Sequence, residues 1–404
     1  MLKAAGIVVE YNPFHNGHLL HVNETKKVTG ADIVIAVMSG PFLQRGEPAL
    51  VSKWARTKMA LASGVDIVIE LPFCFAVQHA THFASGAVRL LDAIGCDTLC
   101  FGSEDGTVAP FINMVAWKNN NEQLLNEKIK QLSKDGLSYP TATAKSYDLL
   151  ADNQGSALDL SQPNNMLGFQ YIEAIHKYAP GITPFTIKRQ ASGYHQAELH
   201  QEKISSATSI RKAIYEDGIT SVSGHVPPET YSGLLQYYNH VKQYHSWEDY
   251  WALLQYSILS QSPEELRTYY EMEEGIEYRL IDAARKADSF TSFMEAVKTK
   301  RYTWTRLQRI FTHLINHTKK EDFSGNTAPA YLRLLGMSQP GRSYLQRRKK
   351  EFGLPLISRV GRNDEQLLSM DLKAGRVYAM GVTNKAARSS LLLADYTNPP
   401  IIQL

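Results

Sequence analysis

The feature that most constrains the fold is an alternation of short apolar runs with helix-like segments over the first hundred residues. Strands that are apolar throughout and alternate with helices indicate a parallel sheet covered by helices on both faces. The pattern therefore predicts an α/β protein with a doubly wound, Rossmann-like sheet. The predicted strands are AAGIVVEYN (4–12), ADIVIAVMSG (31–40), VDIVIELP (65–72) and CDTLCFGS (96–103), and the predicted helices cover 17–28, 49–63 and 77–94.

The rest of the chain suggests a second domain, since a domain usually has about 100–200 residues and this chain has 404. We place the boundary in the Gly-, Ser- and Pro-rich stretch 219–233, which gives a catalytic domain over 1–220 and a mostly helical domain over 221–404. Before the boundary, the sequence predicts helices over 109–150, 161–178 and 203–218 and a strand over 182–190. After it, 235–320 looks helical, and 355–360 and 376–384 look like strands.

Composition excludes several classes of protein. With 44% hydrophobic and 21% charged residues, the chain is typical of globular proteins rather than disordered or collagen-like ones. Three cysteines, Cys74, Cys96 and Cys100, lack partners at metal-binding spacing, so we expect no metal site and buried thiols. No signal peptide and no 18-residue apolar stretch is found. We expect a cytoplasmic protein with no membrane partner, and we predict no protein partner.

The first strand leads into His15-Asn16-Gly17-His18. In a doubly wound sheet, ligands bind at the carboxyl ends of strands, near helix N-termini. Such a helix end is expected to offer unpaired backbone N–H groups and a partial positive charge to a phosphate. His15 and His18 add imidazole donors that can follow negative charge on an α-phosphate. The alternative is a pair of surface loop histidines.

Three further pieces are suited to phosphate or nucleoside. Ser205 and Ser206 precede a helix that carries Arg211, which predicts an N-cap and a bidentate phosphate clamp. Lys188 and Arg189 lie at the end of the predicted strand over 182–190. Two polar loops carry Gly102 and Asn165, which suit close contact with ribose or adenine. Each piece alone also fits an ordinary surface cap, charge pair or turn.

These motifs carry a resemblance to a known family. VEYNPFHNGH with the later ISSATSIR resembles the HIGH-type nucleotidyltransferases. The chain is further similar to the bacterial tRNA(Met) cytidine acetate ligases. Four segments support this, and together they cover most of the chain: GIVVEYNPFHNGHLLH, MSGPFLQRGEPALVSKWAR (38–56), PNNMLGFQY (163–171) and KRYTWTRLQRIFTHLI (300–315).

The resemblance implies an enzyme that activates acetate with ATP to acetyl-adenylate. The acetyl group then passes to N4 of the wobble cytidine of elongator tRNA(Met), with release of AMP and pyrophosphate. Mg²⁺ is expected to accompany ATP. We expect His15, His18 and Arg189 to act in catalysis. The expected ATP-binding residues are Ile7, Val8, Val9, Glu10, Tyr11, Asn12, Pro13, Phe14, His15, Asn16, Gly17, His18, Leu19, Leu20, Gly102, Asn165, Arg189, Ser205, Ser206 and Arg211.

Charge is concentrated in residues 296–350, which hold 13 Lys/Arg and only two acids. This segment has a charge of +11 within a total of +3, so the rest of the chain is acidic. Such a segment suits an RNA backbone. Tyr302 or Trp304 can stack on bases, although we favour a core position for Trp304, and we place His313 on the charged face. The expected RNA contacts are Arg301, Arg306, Arg309, Arg347, Arg348, Lys349 and Lys350.

Two other functions remain open. One is a small-molecule adenylyltransferase, or a carboxylate–amine ligase like the pantothenate synthetases, for which the basic segment is superfluous. The other is a non-catalytic RNA-binding factor that uses a nucleotide as a switch. The charge of 296–350 favours an RNA substrate over the first, and the complete histidine motif argues against the second.

Overall fold

A computed structural model describes residues 2–151, 158–189, 204–273, 275–324 and 328–403 of the chain. Its centre is a mixed sheet of eight strands in the described residues, in the order β5-β4-β1-β2-β3-β6-β7, with β8 beside β6. The strands are β1 (Ala4–Val9), β2 (Ile33–Ser39), β3 (Ile67–Leu71), β4 (Thr98–Ser103), β5 (Thr183–Lys188), β6 (Leu332–Ser338), β7 (Leu356–Ile357) and β8 (Ile401–Gln403).

The first five strands are parallel and confirm the predicted doubly wound sheet. Their spatial order, 3-2-1-4-5, is that of a Rossmann half. Every residue of β2 is buried, as expected for a strand covered on both faces. The apolar runs were sufficient to locate β1 to β4 because a strand buried on both faces is apolar at most positions, and Glu70 in β3 is a buried exception.

Helices cover both faces of the sheet. One face packs against α4, α8 and α16, and the other packs against α1, α2, α9, α10 and α18. The helices are α1 (Asn16–Thr29), α2 (Lys53–Ala62), α3 (Phe73–Ala76), α4 (Ala80–Ala93), α5 (Ala109–Asn120), α6 (Glu122–Lys134), α7 (Tyr139–Ala151), α8 (Pro163–Tyr178), α9 (Ala207–Asp217), α10 (Pro228–Val241), α11 (Trp251–Leu259), α12 (Pro263–Leu266), α13 (Ile276–Ala284), α14 (Phe290–Val297), α15 (Trp304–Ile315), α16 (Gln339–Arg348), α17 (Ser369–Met380) and α18 (Lys385–Thr397).

A separate helical core stands on the carboxyl edge of the sheet. Helices α11, α13, α14, α15 and α17 bury their apolar faces together with Phe42, Phe73 and Val77. These three residues follow β2 and β3, so the segments after those strands join the sheet to the helical core. In the part of the chain that the structure describes, no helix has the length and apolar character needed to cross a membrane.

The C-terminal part of the chain also contributes to the sheet. Strand β6 runs antiparallel beside β3, with Arg333 opposite Glu70 and Met337 opposite Ile67. The sheet therefore includes strands from beyond residue 220, and the functional division at that residue remains a proposal. The stretch 219–233 is not an open linker, because it holds a 3₁₀ turn and the start of α10.

Two predicted strands in the last third of the chain were wrong or too long. The stretch 376–384 lies largely in α17. Ala374 and Tyr378 of α17 both enter the helical core. Their separation of four residues is the spacing of one face of a helix, not of a strand. Of 355–360, only Leu356–Ile357 is a strand. The expectation of buried thiols is confirmed for Cys96 and Cys100, whereas Cys74 is half-buried.

Candidate active site

The strand order reverses between β1 and β4, which are parallel neighbours. In open α/β sheets, the crevice outside the carboxyl ends of two such strands is where ligands bind. The segment after β1 begins with Glu10 and reaches the start of α1 at Asn16. The loop after β4 begins with Glu104. The predicted site residues of both loops therefore border one crevice.

His15 and His18 form a stacked pair at the start of α1, with ring centroids 3.7 Å apart. Nδ1 of His15 accepts a hydrogen bond from the Gly17 N–H at 3.1 Å. Nδ1 of His18 accepts one from the His15 N–H at 3.2 Å. Because each Nδ1 is an acceptor, the proton of each neutral ring lies on Nε2. The pair therefore presents two Nε2–H donors.

Both imidazoles are neutral at physiological pH. Burial lowers the pKa of His15 to about 3, with contributions from Arg189 and Arg211. Burial, His15 and Arg189 hold the pKa of His18 well below its usual value. Arg189 thus carries the positive charge at the pair, while the rings supply hydrogen-bond donors.

Gly17 explains the spacing of the motif. A Cβ at this position would lie 2.9 Å from Cε1 of His15 and 3.7 Å from Cγ2 of Ile204. Any other residue would push the His15 ring out of its place. The same contact shows that the segment before α9 lies against the start of α1.

The expected cradle of unpaired amides at α1 is not present. The Gly17 N–H donates to His15 Nδ1, and the Asn16 N–H donates to the carbonyl of His225 at 3.1 Å. The N–H groups of His18 and Leu19 donate to the His15 carbonyl. Capping by a histidine side chain consumes the donors that a phosphate would otherwise use. The imidazoles and Arg189 remain as the donors toward a phosphate.

Arg189 lies over the loop that follows β4. Its N–H donates to the Ser103 carbonyl at 2.8 Å. A Cβ on Gly102 would stand 3.3 Å from Cγ of Arg189, so the stem of the arginine crosses the glycine. The structure thereby brings Arg189, Gly102 and the histidine pair together, as the sequence predicts.

Asn165 shapes the site through its neighbours. Its Oδ1 accepts from the N–H groups of Glu104 and Asp105 at 3.0 and 3.1 Å. Its Nδ2 donates to the Asp159 carbonyl. In return, the Glu104 carboxylate accepts from both the main chain and the side chain of Asn164 and from the Asn165 N–H. These reciprocal hydrogen bonds hold the loop after β4 against the start of α8.

The second signature is close to the first, although its groups are already engaged. Ser206 caps α9 by accepting from the Ser209 N–H, and the Ser205 hydroxyl pairs with His225 Nδ1 at 2.9 Å. Arg211 donates to the Asn12 carbonyl and to Glu47, each at 3.0 Å. Arg211 is therefore paired with Glu47 in this structure, and its role as a phosphate clamp stays a prediction.

Within the predicted ATP segment 7–20, the side chains have different surroundings. Ile7, Val9 and Phe14 are buried in the core below the site. Tyr11 has a left-handed φ of 52°, and its ring stands 5.0 Å from that of His18. The Tyr11 hydroxyl and Nδ2 of Asn12 are buried and have no hydrogen-bond partner among the described residues. Their polar groups are therefore not used within the described part of the protein.

Sequence reasoning assigned no role to the loop between β2 and α2, residues 40–52, which we call the bridging loop. Its Gln44 N–H donates to Oε1 of Glu10, and its Leu50 N–H donates to Oδ1 of Asn12, both at 2.7 Å. Buried Arg56 donates to the carbonyls of Glu10, Ser39, Gly40 and Val51 and so ties β1 to β2. The signal for this loop was the motif over 38–56.

The bridging loop also contacts the helical core. The Gly46 carbonyl accepts from Nε1 of Trp247 at 3.1 Å and from the Thr312 hydroxyl at 2.7 Å. The Tyr378 hydroxyl donates to the Ala49 carbonyl, and the His245 N–H donates to the Leu50 carbonyl. One face of this loop therefore holds the site and the other rests on the helical core.

The basic segment is divided between opposite edges of the sheet. Helix α15 reaches the carboxyl edge, where Nε2 of His313 donates to the Val77 carbonyl. Helix α16 reaches the amino edge, where the Tyr344 hydroxyl donates to the Ile94 and Gly95 carbonyls ahead of β4. Strand β6 crosses from one edge to the other, about 20 Å for seven residues at the usual rise.

Individual side chains of this segment differ from expectation. Tyr302 is buried under the Arg306 guanidinium, whereas Trp304 is 39% exposed, so the core position expected for Trp304 was wrong. His313 is buried and not on the charged face. Arg309 pairs with Glu271 at 2.9 Å, and Arg348 pairs with Glu351 at 2.9 Å. Of the expected RNA contacts, those that are exposed are Arg301, Arg347, Lys349 and Lys350.

The chain is similar to known proteins along its whole length. A family model described as HIGH Nucleotidyl Transferase matches residues 2–391. The tRNA(Met) cytidine acetate ligase of Lysinibacillus sphaericus is 48% identical over 402 residues, which are 99% of this chain and all of that protein. The ligase of the same name from Bacillus subtilis is 45% identical over 405 residues, with 99% and 97% covered.

Two solved structures have the same fold. The apo structure of Thermotoga maritima TmcAL superposes with a TM-score of 0.92 at 30% identity, and 99% of each chain is covered. The structure of the same protein bound with alpha-thio ATP superposes with a TM-score of 0.90, also at 30% identity and 99% coverage of each chain.

Proposed function

This chain belongs to the tRNA(Met) cytidine acetate ligases, within the HIGH nucleotidyl transferase family, and from that premise we propose that it is an ATP-dependent ligase that acetylates elongator tRNA(Met). The acetyl group goes to N4 of the wobble cytidine. Acetate is first activated as acetyl-adenylate, and AMP and pyrophosphate are released. The tRNA substrate places this reaction in the cytoplasm.

The observation that carries the proposal is the stacked, neutral pair of His15 and His18 beside Arg189. In the first step, a carboxylate oxygen of acetate bonds to the α-phosphorus of ATP, and the bond to pyrophosphate breaks. Acetate is already a nucleophile at neutral pH, so this step needs alignment and charge stabilisation rather than a base. Two Nε2–H donors and one guanidinium supply that stabilisation.

Magnesium accompanies ATP in this proposal. The described residues contain no cluster of three or more His, Cys, Asp or Glu side chains that could hold a metal ion. Mg²⁺ usually keeps several waters and binds substrate phosphates with few protein ligands. Mg²⁺ would then be held mainly by triphosphate oxygens and water, and it would neutralise charge on the phosphates.

The second step joins the adenylate to the RNA. N4 of cytidine attacks the acetyl carbonyl carbon, and AMP leaves with the electron pair of the broken C–O bond. We assign residues 1–220 to the adenylate chemistry and 221–404 to tRNA binding. The RNA contacts that we propose are Arg301, Arg306, Arg309, Arg347, Arg348, Lys349 and Lys350. The charge of the segment that contains them supports this assignment.

One experiment separates the candidate functions. The protein is incubated with ATP, radiolabelled acetate and bulk tRNA, and acetate-dependent exchange of pyrophosphate into ATP is measured in parallel. Label in tRNA that requires ATP supports the ligase. Exchange without label in tRNA, together with adenylation of another small molecule, supports the small-molecule enzyme. No ATP turnover with any substrate would leave a non-catalytic RNA-binding protein.

A further inference from the structure

Acetyl transfer to tRNA, which rests on the function proposed above, needs a proton acceptor. When N4 bonds to the acetyl carbon and AMP leaves, the nitrogen carries one proton too many. AMP leaves as a phosphate anion, and the N4 proton passes either to that phosphate or to a positioned side chain. Positioned general bases accelerate such steps by about 10²–10⁴-fold.

The histidine pair does not fill this role. Nδ1 of His15 and Nδ1 of His18 already accept hydrogen bonds from backbone N–H groups. Their Nε2 atoms carry protons and so donate rather than accept. Any base must therefore come from another element.

Neighbouring carboxylates are also occupied. Glu104 accepts three hydrogen bonds from the first residues of α8. Glu47 is ion-paired with Arg211 at 3.0 Å. Asp105 accepts from both the N–H and the hydroxyl of Thr107 in its own turn.

Glu10 borders the same crevice and keeps one carboxylate oxygen free, and we propose that it is the general base that removes the N4 proton during acetyl transfer. It directly follows β1 at the reversal of strand order, five residues before His15. The bridging loop holds one oxygen in place, since Oε1 accepts from the Gln44 N–H at 2.7 Å. Arg56 holds its backbone carbonyl at 2.7 Å. Oε2 makes no hydrogen bond with the described residues and is free to accept a proton.

The charged groups around Glu10 are consistent with this role. Burial raises the pKa of Glu10, Glu47 raises it slightly, and the Gln44 N–H, Arg45 and Arg211 lower it. Arg211 also lowers the pKa of His15, so one guanidinium lies near both Glu10 and the histidine pair. A raised pKa makes the carboxylate a stronger proton acceptor than an ordinary glutamate.

The test is Glu10→Gln. The glutamine side chain has the shape of glutamate and keeps an oxygen that can accept from the Gln44 N–H, but it cannot act as a base. We expect single-turnover transfer of acetyl from preformed adenylate to tRNA to fall about 100-fold further than acetate-dependent pyrophosphate exchange does. Glu24→Gln, on the outer side of α1 beside Lys27, is the matched control and should change neither rate.

The pH profile distinguishes a base from a structural role. With wild-type protein, the transfer rate should rise with pH through the pKa of Glu10 and then level off. Glu10→Gln should lack this rise, and Glu10→Asp should recover part of the rate together with the rise. Transfer at the wild-type rate in Glu10→Gln, or equal loss of exchange and transfer, would overturn the proposal. If wild-type protein itself does not acetylate tRNA, the proposed function fails instead.

Discussion

Gly46 and Arg309 are packed backbone against backbone. A Cβ on Gly46 would stand 2.3 Å from the backbone nitrogen of Arg309, and Gly46 has a φ of 76°. At this point the bridging loop touches the middle of α15. Its other face binds Glu10 and Asn12. Glycine is therefore required where the helical core meets the loop that shapes the site.

The first prediction follows from this contact. Gly46→Ala places a methyl group on the helix backbone and in a left-handed conformation, so we expect a loss of about 3 kcal/mol in the free energy of unfolding. Pyrophosphate exchange should fall as the loop moves away from Asn12, which lies in the expected ATP-binding segment. Urea unfolding and the exchange assay measure the two effects.

Gly30 offers a matched control for that variant. It has a φ of 62° but no heavy atom within 4 Å of an added Cβ. Gly30→Ala should cost only about 1 kcal/mol, the usual penalty of the left-handed region, and leave exchange unchanged. Equal losses in the two variants would show that backbone conformation alone, and not the contact with α15, accounts for the effect.

The second prediction concerns the donor atom of His18. In His18→Gln the amide NH₂ can occupy the place of Nε2–H, whereas His18→Asn and His18→Ala leave no donor there. We expect exchange to fall about 10²–10³-fold in the Asn and Ala variants, as when one oxyanion-hole donor is removed, and clearly less in the Gln variant. Binding of tRNA by filter retention should be retained in all three. Wild-type exchange in His18→Ala would contradict the assigned role.

The third prediction uses the division of the basic segment between two edges of the sheet. Arg301 precedes α15 and Arg306 lies on it, and α15 is the helix that reaches the carboxyl edge of the sheet. Replacing both by Gln should lower transfer even at saturating tRNA. Replacing the α16 cluster, Arg347, Arg348, Lys349 and Lys350, should raise KM and leave kcat near wild type.

Salt dependence tests whether either group touches phosphate. Each lost contact should reduce the slope of log affinity against log salt by about 0.7–0.9. An unchanged slope in the α16 variant would show that this cluster is only a solvated helix end. Gln replacement of Lys128 and Lys130 on α6, outside the basic segment, serves as the control for charge alone.

The fourth prediction is a pH dependence of stability. His245 is buried between Tyr250, bonded to Nδ1 at 2.7 Å, and Tyr237, bonded to Nε2 at 2.8 Å. Burial lowers its pKa to about 3, below the value of about 6.5 in the unfolded chain. Between these values the unfolded chain binds one more proton at this residue. The free energy of unfolding must therefore fall as the pH is lowered from 6.5.

His245→Gln should reduce that slope by about 1.4 kcal/mol per pH unit near pH 5. Urea unfolding of both proteins at pH 7, 6 and 5 measures it. His240→Gln, at an exposed site on α10, should leave the slope as it is. A slope unaffected by removal of His245 would mean that its ring is already protonated in the folded protein.

The sequence by itself determined much of the architecture. The apolar runs over the first hundred residues located four strands, because a strand buried on both faces is apolar at most positions. The same order placed His15 and His18 between the first strand and helix, at the edge where ligands bind. Leu307, Ile310, Phe311 and Leu314 defined the buried face of α15, as their helical spacing requires.

Only the tertiary structure decided which groups are free to act. Local spacing does not reveal that Glu47 engages Arg211, that the His225 carbonyl accepts from the Asn16 N–H, or that β6 carries α16 to the far edge of the sheet. Partners in these contacts are distant in sequence: 164 residues separate Arg211 from Glu47. Periodicity reports which face of an element is buried, whereas the partner at that face is fixed only when the whole chain packs.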